Sequence, residues 1–104
     1  MKTHIQFDAD VESFIFSLEK ETVAKVLRTI DLLGEFGCFL GPPHIKKIEK
    51  NIFELRVRGK QEVRLFYTWH KNIVVFLHGF IKKTQKIPKK ELNTVRKKIR
   101  VLGQ

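Results

Sequence analysis

The chain of 104 residues holds a single cysteine, Cys38. One thiol cannot close an internal disulfide, and alone it falls short of the roughly four N or S ligands of a structural zinc site. Neither a metal nor another cofactor is expected. The longest unbroken apolar run, Ile73 to Leu77, is far shorter than the roughly 18 residues a membrane-spanning helix needs. The start, Met1-Lys2-Thr3-His4-Ile5-Gln6-Phe7-Asp8, lacks an apolar stretch and soon turns acidic. It does not read as a signal peptide, so a cytoplasmic protein with no membrane partner is expected. Internal repeats, low-complexity tracts and Ser/Gly linkers are also missing, and residues 1–104 are read as one domain.

Acidic residues are scarce: 11 Asp and Glu face 21 Lys and Arg, for a net charge of +10. With 42% hydrophobic residues the chain can still bury a core, unlike disordered chains of similar charge. The deficit is uneven. Residues 1–40 carry 4 basic and 7 acidic side chains, and residues 41–104 carry 17 and 4, so the net charge runs from −3 to +13. Such a field draws polyanions, of which nucleic acid is the commonest in cells. Ribosomal RNA, mRNA, DNA and an acidic protein are all candidate partners. A surface that served solubility alone would mix the signs more evenly.

The first third of the chain has helical spacing. Val11, Phe14, Ile15 and Leu18 follow the possible N-caps Asp8 and Asp10, and Val23, Val26, Leu27, Ile30 and Leu33 repeat the pattern. The polar stretch Glu19-Lys20-Glu21-Thr22 marks a bend between two helices, and Gly34, Gly37 and Gly41-Pro42-Pro43 close the region. From His44 the period changes to two. Phe53, Leu55 and Val57 alternate with Glu54, Arg56 and Arg58, and after a turn at Gly59-Lys60-Gln61 a second strand carries Val63, Leu65, Tyr67 and Trp69. His70-Lys71-Asn72 turns into Ile73–Phe80, whose near-continuous apolar run suits a strand covered on both faces. Pro88 then opens a basic helix with the apolar stripe Leu92, Val95, Ile99 and Leu102. The fold class is α+β: an N-terminal helical pair packed on an antiparallel β-sheet meander, with a C-terminal basic helix.

Alternation places Phe53, Leu55, Val57, Val63 and Leu65 under the helical pair, so Arg56, Arg58 and Arg64 are expected on the opposite, exposed sheet face. Three guanidiniums there can bind phosphate oxygens through planar forks. The structural alternative is pairing with Glu54 and Glu62. After the last strand, His78-Gly79-Phe80-Ile81-Lys82-Lys83-Thr84-Gln85-Lys86 sets proton carriers and cations at one sheet edge. His78 is the candidate for proton transfer, since imidazole titrates near neutral pH. Phe66, Phe76 and Phe80 can stack on unpaired bases or fill the core. Cys38, flanked by Phe36 and Phe39, reads as a small buried hydrophobe.

Three segments together carry a family resemblance: Asn51-Ile52-Phe53-Glu54-Leu55-Arg56-Val57, then Val63-Arg64-Leu65-Phe66-Tyr67, then His78-Gly79-Phe80-Ile81-Lys82-Lys83-Thr84-Gln85-Lys86-Ile87-Pro88. In this order they resemble the RelE/HigB toxin superfamily, and within it the HigB-type group of phage-derived Gp49-like proteins. The resemblance implies a RelE-like fold and a type II toxin that cleaves mRNA on the translating ribosome without a metal. It also implies a cognate antitoxin of the helix-turn-helix type. Arg64 matches the family's strand arginine at the scissile phosphate, Arg56 the arginine of the preceding strand, and Lys83 a basic residue after the last strand. The implied catalytic set is Arg64, His78 and Lys83, with Arg56, Arg58, Lys82 and Lys86 holding RNA phosphates. Several relatives carry a catalytic tyrosine near the C-terminus, whereas the one tyrosine here, Tyr67, lies in mid-strand. Two other classes remain open: a ParE-like toxin of DNA gyrase, and a non-enzymatic nucleic-acid-binding module.

Overall fold

The computed structural model describes residues 2–103. The helical pattern becomes α1 (Ala9–Phe16) and α2 (Lys20–Phe36). Asp8 caps α1 by accepting the Asp10 N–H at 3.1 Å, which satisfies one of the donors left open at a helix start. The bend falls at residues 17–19, so α2 begins inside the polar stretch expected to separate the helices. The Glu19 N–H donates to the Gln61 side chain at 2.9 Å, tying the start of α2 to a distant turn. Gly34 lies within α2, and Gly37 ends it with φ at +54°. A side chain at Gly37 would also meet Thr3 Oγ1 at 2.7 Å, so both conformation and space require glycine there.

Five strands follow the order β1-β5-β4-β3-β2, with β1 at Ile5–Phe7, β2 at Ile45–Glu49, β3 at Ile52–Val57, β4 at Val63–His70 and β5 at Ile73–Ile81. β2 to β5 form the antiparallel meander, but β1 joins β5 in parallel, pairing Ile5 with Val74 and Phe7 with Phe76. The sheet is therefore mixed rather than a pure meander. Lys71 and Asn72 adopt φ of 51° and 65°, the two left-handed residues of a tight hairpin that matches strand twist. The final helix, α3, spans Lys89–Val101 behind Pro88.

Both sheet faces are covered. On one, Val11, Ile15, Val26 and Leu33 of the helical pair pack on Leu55, Val63, Leu65, Tyr67 and Phe76. Fully burying an aliphatic side chain such as Leu33 contributes about 1.5–3 kcal/mol. On the other, α3 sets Val95, with Leu92 and Ile99 beside it, on Ile52, Phe66, Val75, Leu77 and Phe80. Between Phe66 and Tyr67 the β4–β5 register slips, so that Phe66 faces His78 and Tyr67 faces Phe76. Leu77 is the extra residue of this bulge. It turns His78 toward α3 and Gly79 toward α1, where a Cβ would lie 2.5 Å from Phe14 and 2.6 Å from Leu65. Among the described residues no helix is long and apolar enough to cross a membrane.

Candidate nucleic-acid interface

The register pairs Val57 with Val63 and Val63 with Ile81, so the end of β3, the start of β4 and the end of β5 share one end of the sheet. The 58–62 turn and the segment after β5 project from it. Arg56, Arg58, Glu62, Arg64, Lys82, Lys83, Thr84 and Gln85 line an open cleft of about 480 Å³ there. Five cations face one carboxylate. The Lys82 N–H donates to the Glu62 carbonyl at 2.7 Å, which pins the lysine pair beside the turn.

The three arginines differ in environment, contrary to the expectation of one exposed row. Arg58 is exposed in the turn beyond β3. Arg56 is partly covered, and Arg64 is only 2% exposed. The reason is Glu54, itself 1% exposed, which shares their sheet face. Its Oε1 lies 3.3 Å from Arg56 Nε and 3.8 Å from Arg64 Nε. Neither Nε is aligned for a hydrogen bond, and Glu54 Oε2 has no hydrogen-bond partner among the described residues. Charge, rather than hydrogen bonding, holds this core together, and it keeps unused bonding capacity. The Arg64 fork is fixed further: Nη1 donates to the Val63 carbonyl at 3.0 Å, and both Nη atoms lie 3.4 Å from Glu62 Oε2. The pairing with Glu54 and Glu62 that appeared as a structural alternative is thus present, and the paired Arg64 still lines the cleft.

His78 is placed elsewhere. Its Nε2 lies 2.9 Å from Glu91 Oε1 in the first turn of α3, and it is not among the residues lining the cleft. Arg64 sits opposite Phe80 and Phe66 opposite His78. The Phe66–Phe80 ring contact, 5.5 Å between centroids, therefore crosses the diagonal that separates Arg64 from His78. Those phenylalanines and Phe76 are buried and unavailable for stacking on bases. Lys86 is exposed in the segment before α3, outside the cleft lining. Tyr67 lies on the opposite sheet face between Phe53 and Phe76, where burial pushes its phenol well above the usual tyrosine range. Cys38 is exposed rather than buried, because the short turn Gly37–Phe39 runs over the end of α2 with Phe39 90% exposed. Among the described residues no three His, Cys, Asp or Glu side chains come together to hold a metal ion.

Sequence reasoning missed the central place of Glu54. Its signal was a carboxylate in phase with arginines on adjoining strands, which alternation reads as solvent-facing unless the second sheet face is known to be covered.

This arrangement of helices and sheet is the RelE fold. The E. coli toxin RelE, solved in the free state as an arginine-to-alanine double mutant, is similar to the chain with a TM-score of 0.70. The match covers 95% of this chain and 99% of that one at 13% identity, a likeness that defines the fold. No curated protein sequence matches the chain significantly. Residues 13–100 match the family described as phage-derived protein Gp49-like (DUF891). The chain belongs to that family, which is of the RelE/HigB toxin type, and membership implies a cognate antitoxin.

Proposed function

We propose that this protein is a toxin that cleaves mRNA held in the ribosome, by attack of the RNA on itself. The observation that carries this reading is the convergence of Arg56, Arg58, Arg64, Lys82 and Lys83 on one cleft. In the reaction the 2′-hydroxyl oxygen bonds to the adjacent phosphorus and the bond from phosphorus to the 5′ oxygen breaks. A cyclic 2′,3′-phosphate and a free 5′-hydroxyl result. Negative charge grows on the phosphoryl oxygens, where fixed cations are most effective. Arg64, held by Glu54 and Glu62, meets that charge without reorganising, and Arg56 and Arg58 bind the flanking phosphates.

Of the lining side chains, the Glu62 carboxylate accepts the 2′-hydroxyl proton, and the Lys83 ammonium supplies a proton to the departing 5′ oxygen. His78 acts from outside as a positioning residue. Its bond to Glu91 joins β5 to α3 and so closes the base of the 82–88 segment that carries Lys82 and Lys83. The ribosome orders the mRNA, which contributes proximity rather than chemistry. An antitoxin of the helix-turn-helix type, with acidic groups for the cationic cleft, is the natural inhibitor.

Mapping mRNA 5′ ends after brief induction tests this reading. New 5′-hydroxyl ends are expected within translated regions, and Lys83→Ala should reduce them roughly 100-fold, the scale for loss of a transition-state contact. Unchanged mRNA ends together with loss of gyrase supercoiling would instead establish a gyrase toxin.

A further inference from the structure

A second concavity adjoins the cleft, between α2 and the β2–β3 edge of the sheet. This groove of about 330 Å³ is lined by Lys25 and Arg28 of α2, His44 before β2, and Arg56 and Arg58. Leu32 and Val57 supply apolar surface between these cations. Two properties single it out. Arg56 and Arg58 line both the groove and the cleft, so the two form one continuous cationic track around the end of β3. No carboxylate lines the groove, and among the described residues Lys25, Arg28 and Arg58 form no ion pair. Glu21, one turn before Lys25 on the same side of α2, does not pair with it, so Lys25 and Arg28 are both unpartnered among the described residues.

Unneutralised cations in a concavity make a poor solvated face and a good anion site, since walls of low dielectric focus the field. The mixture of cations and apolar floor fits a nucleotide, whose phosphate and base or ribose make complementary demands. An acidic peptide would answer the charge alone. We propose that this groove is a second nucleic-acid subsite, which holds the sugar-phosphate backbone of a single RNA strand as it leaves the cleft over Arg58. Lys25 and Arg28 contact phosphates and Leu32 and Val57 support the sugar and base. The inference rests on the cleft being an RNA site, and it adds the direction in which the strand runs.

The experiment compares two single-stranded oligouridylates, one of about 4 and one of about 12 nucleotides, spanning the usual range of single-strand site sizes. Binding is measured as a function of salt for the wild-type protein, for Lys25→Gln/Arg28→Gln, and for Lys82→Gln/Lys83→Gln. The side chains of Lys25 and Arg28 are exposed and unpartnered, so the first double variant should keep the wild-type melting temperature. For the long RNA the wild type should bind tighter and with a steeper salt slope than for the short one. The α2 variant should lose about 1.4 units of that slope, at about 0.7 per single-strand phosphate, and should bind the long RNA no better than the short.

Equal slopes for the wild type and the α2 variant on the long RNA would overturn the subsite while the cleft reading stands. An oligoglutamate competing as well as RNA of equal length would overturn it in favour of an acidic protein. Short RNA that binds the Lys82→Gln/Lys83→Gln variant as tightly as the wild type would remove the cleft reading and the subsite together.

Discussion

Arg64, proposed above to meet the reacting phosphate, is also a structural side chain. Read from alternation alone it points to solvent and can be replaced without harm to the fold. In the structure it and Glu54 are both buried; removing Arg64 leaves Glu54 with Arg56 alone, and removing Glu54 leaves Arg64 with only the more exposed Glu62. Breaking a buried pair in this way costs about 3–5 kcal/mol. Arg64→Ala should therefore lower the melting temperature by roughly 12–40 °C, at about 4–8 °C per kcal/mol for a domain near this size. Glu54→Gln should relieve part of that loss when combined with Arg64→Ala, because the charged pair is then replaced by neutral groups. Thermal melts of the two single variants and the double variant make a cycle, and simple additivity would show that the two side chains are not coupled. Loss of toxicity in Arg64→Ala is informative about chemistry only when measured on folded protein. Arg58 and Lys83, exposed and without ion-pair partners among the described residues, report on function more cleanly.

At the scale of elements, the long periodic segments were legible and the short ones were not. α1, α2, α3 and the β3–β4–β5 hairpins follow from period and turn chemistry. β1 is three residues long and gains its place by pairing with β5, a contact distant in sequence. In β2, Lys46 and Lys47 are both exposed, and the irregularity between Lys47 and Glu49 breaks the alternation that would have marked a strand. The β5 bulge is equally silent in sequence, yet it decides that His78 faces α3.

Polar clasps then fix α3: His78 with Glu91 near its start, and Lys98 with Asp8 at 2.7 Å and Asp10 at 3.1 Å near its end. Burial raises the Asp8 carboxyl, but the Lys98 hydrogen bond, the Asp10 N–H and the charges of Lys98 and His78 outweigh it, leaving Asp8 below the usual range. Burial likewise opposes the Lys98 charge, and its bonds and attraction to the two aspartates hold it above the usual lysine range. The Asp8 contribution is present above the ordinary carboxylate pKa, about 4, and disappears as pH falls through its lowered value. The Lys98 contribution is present below about pH 10 and disappears as pH rises through its raised value. Lys98→Met should cost about 1 kcal/mol, constant between about pH 5 and 9 and vanishing in acid. Denaturant titrations of both proteins at several pH values measure it, and a cost that persists at pH 2 would assign it to packing of the lysine stem.

For the whole molecule, composition shows the cationic bias but not where the fold concentrates it. The +13 segment supplies every residue lining the cleft, but Lys25 and Arg28 of the adjoining groove come from the acidic third, where a count by segment hides them. Their place was not readable without knowing which face of α2 lies beside β3. The fold gathers these cations at one end of the sheet, so an RNA strand should bind the native state far better than the unfolded chain, in which the charges are dispersed. Ligand linkage gives the size of the effect: saturation at about 100 times Kd adds about 2.7 kcal/mol, and hence roughly 10–20 °C in melting temperature. The shift should be large at low ionic strength and shrink steeply as salt is added, because released counterions drive the binding. Thermal unfolding with and without a 12-nucleotide oligouridylate across a salt series measures it. An equal shift with the Arg58→Gln/Lys82→Gln/Lys83→Gln variant would mean that RNA binds elsewhere on the basic surface, since that variant removes three cleft cations and leaves most of the other cations in place.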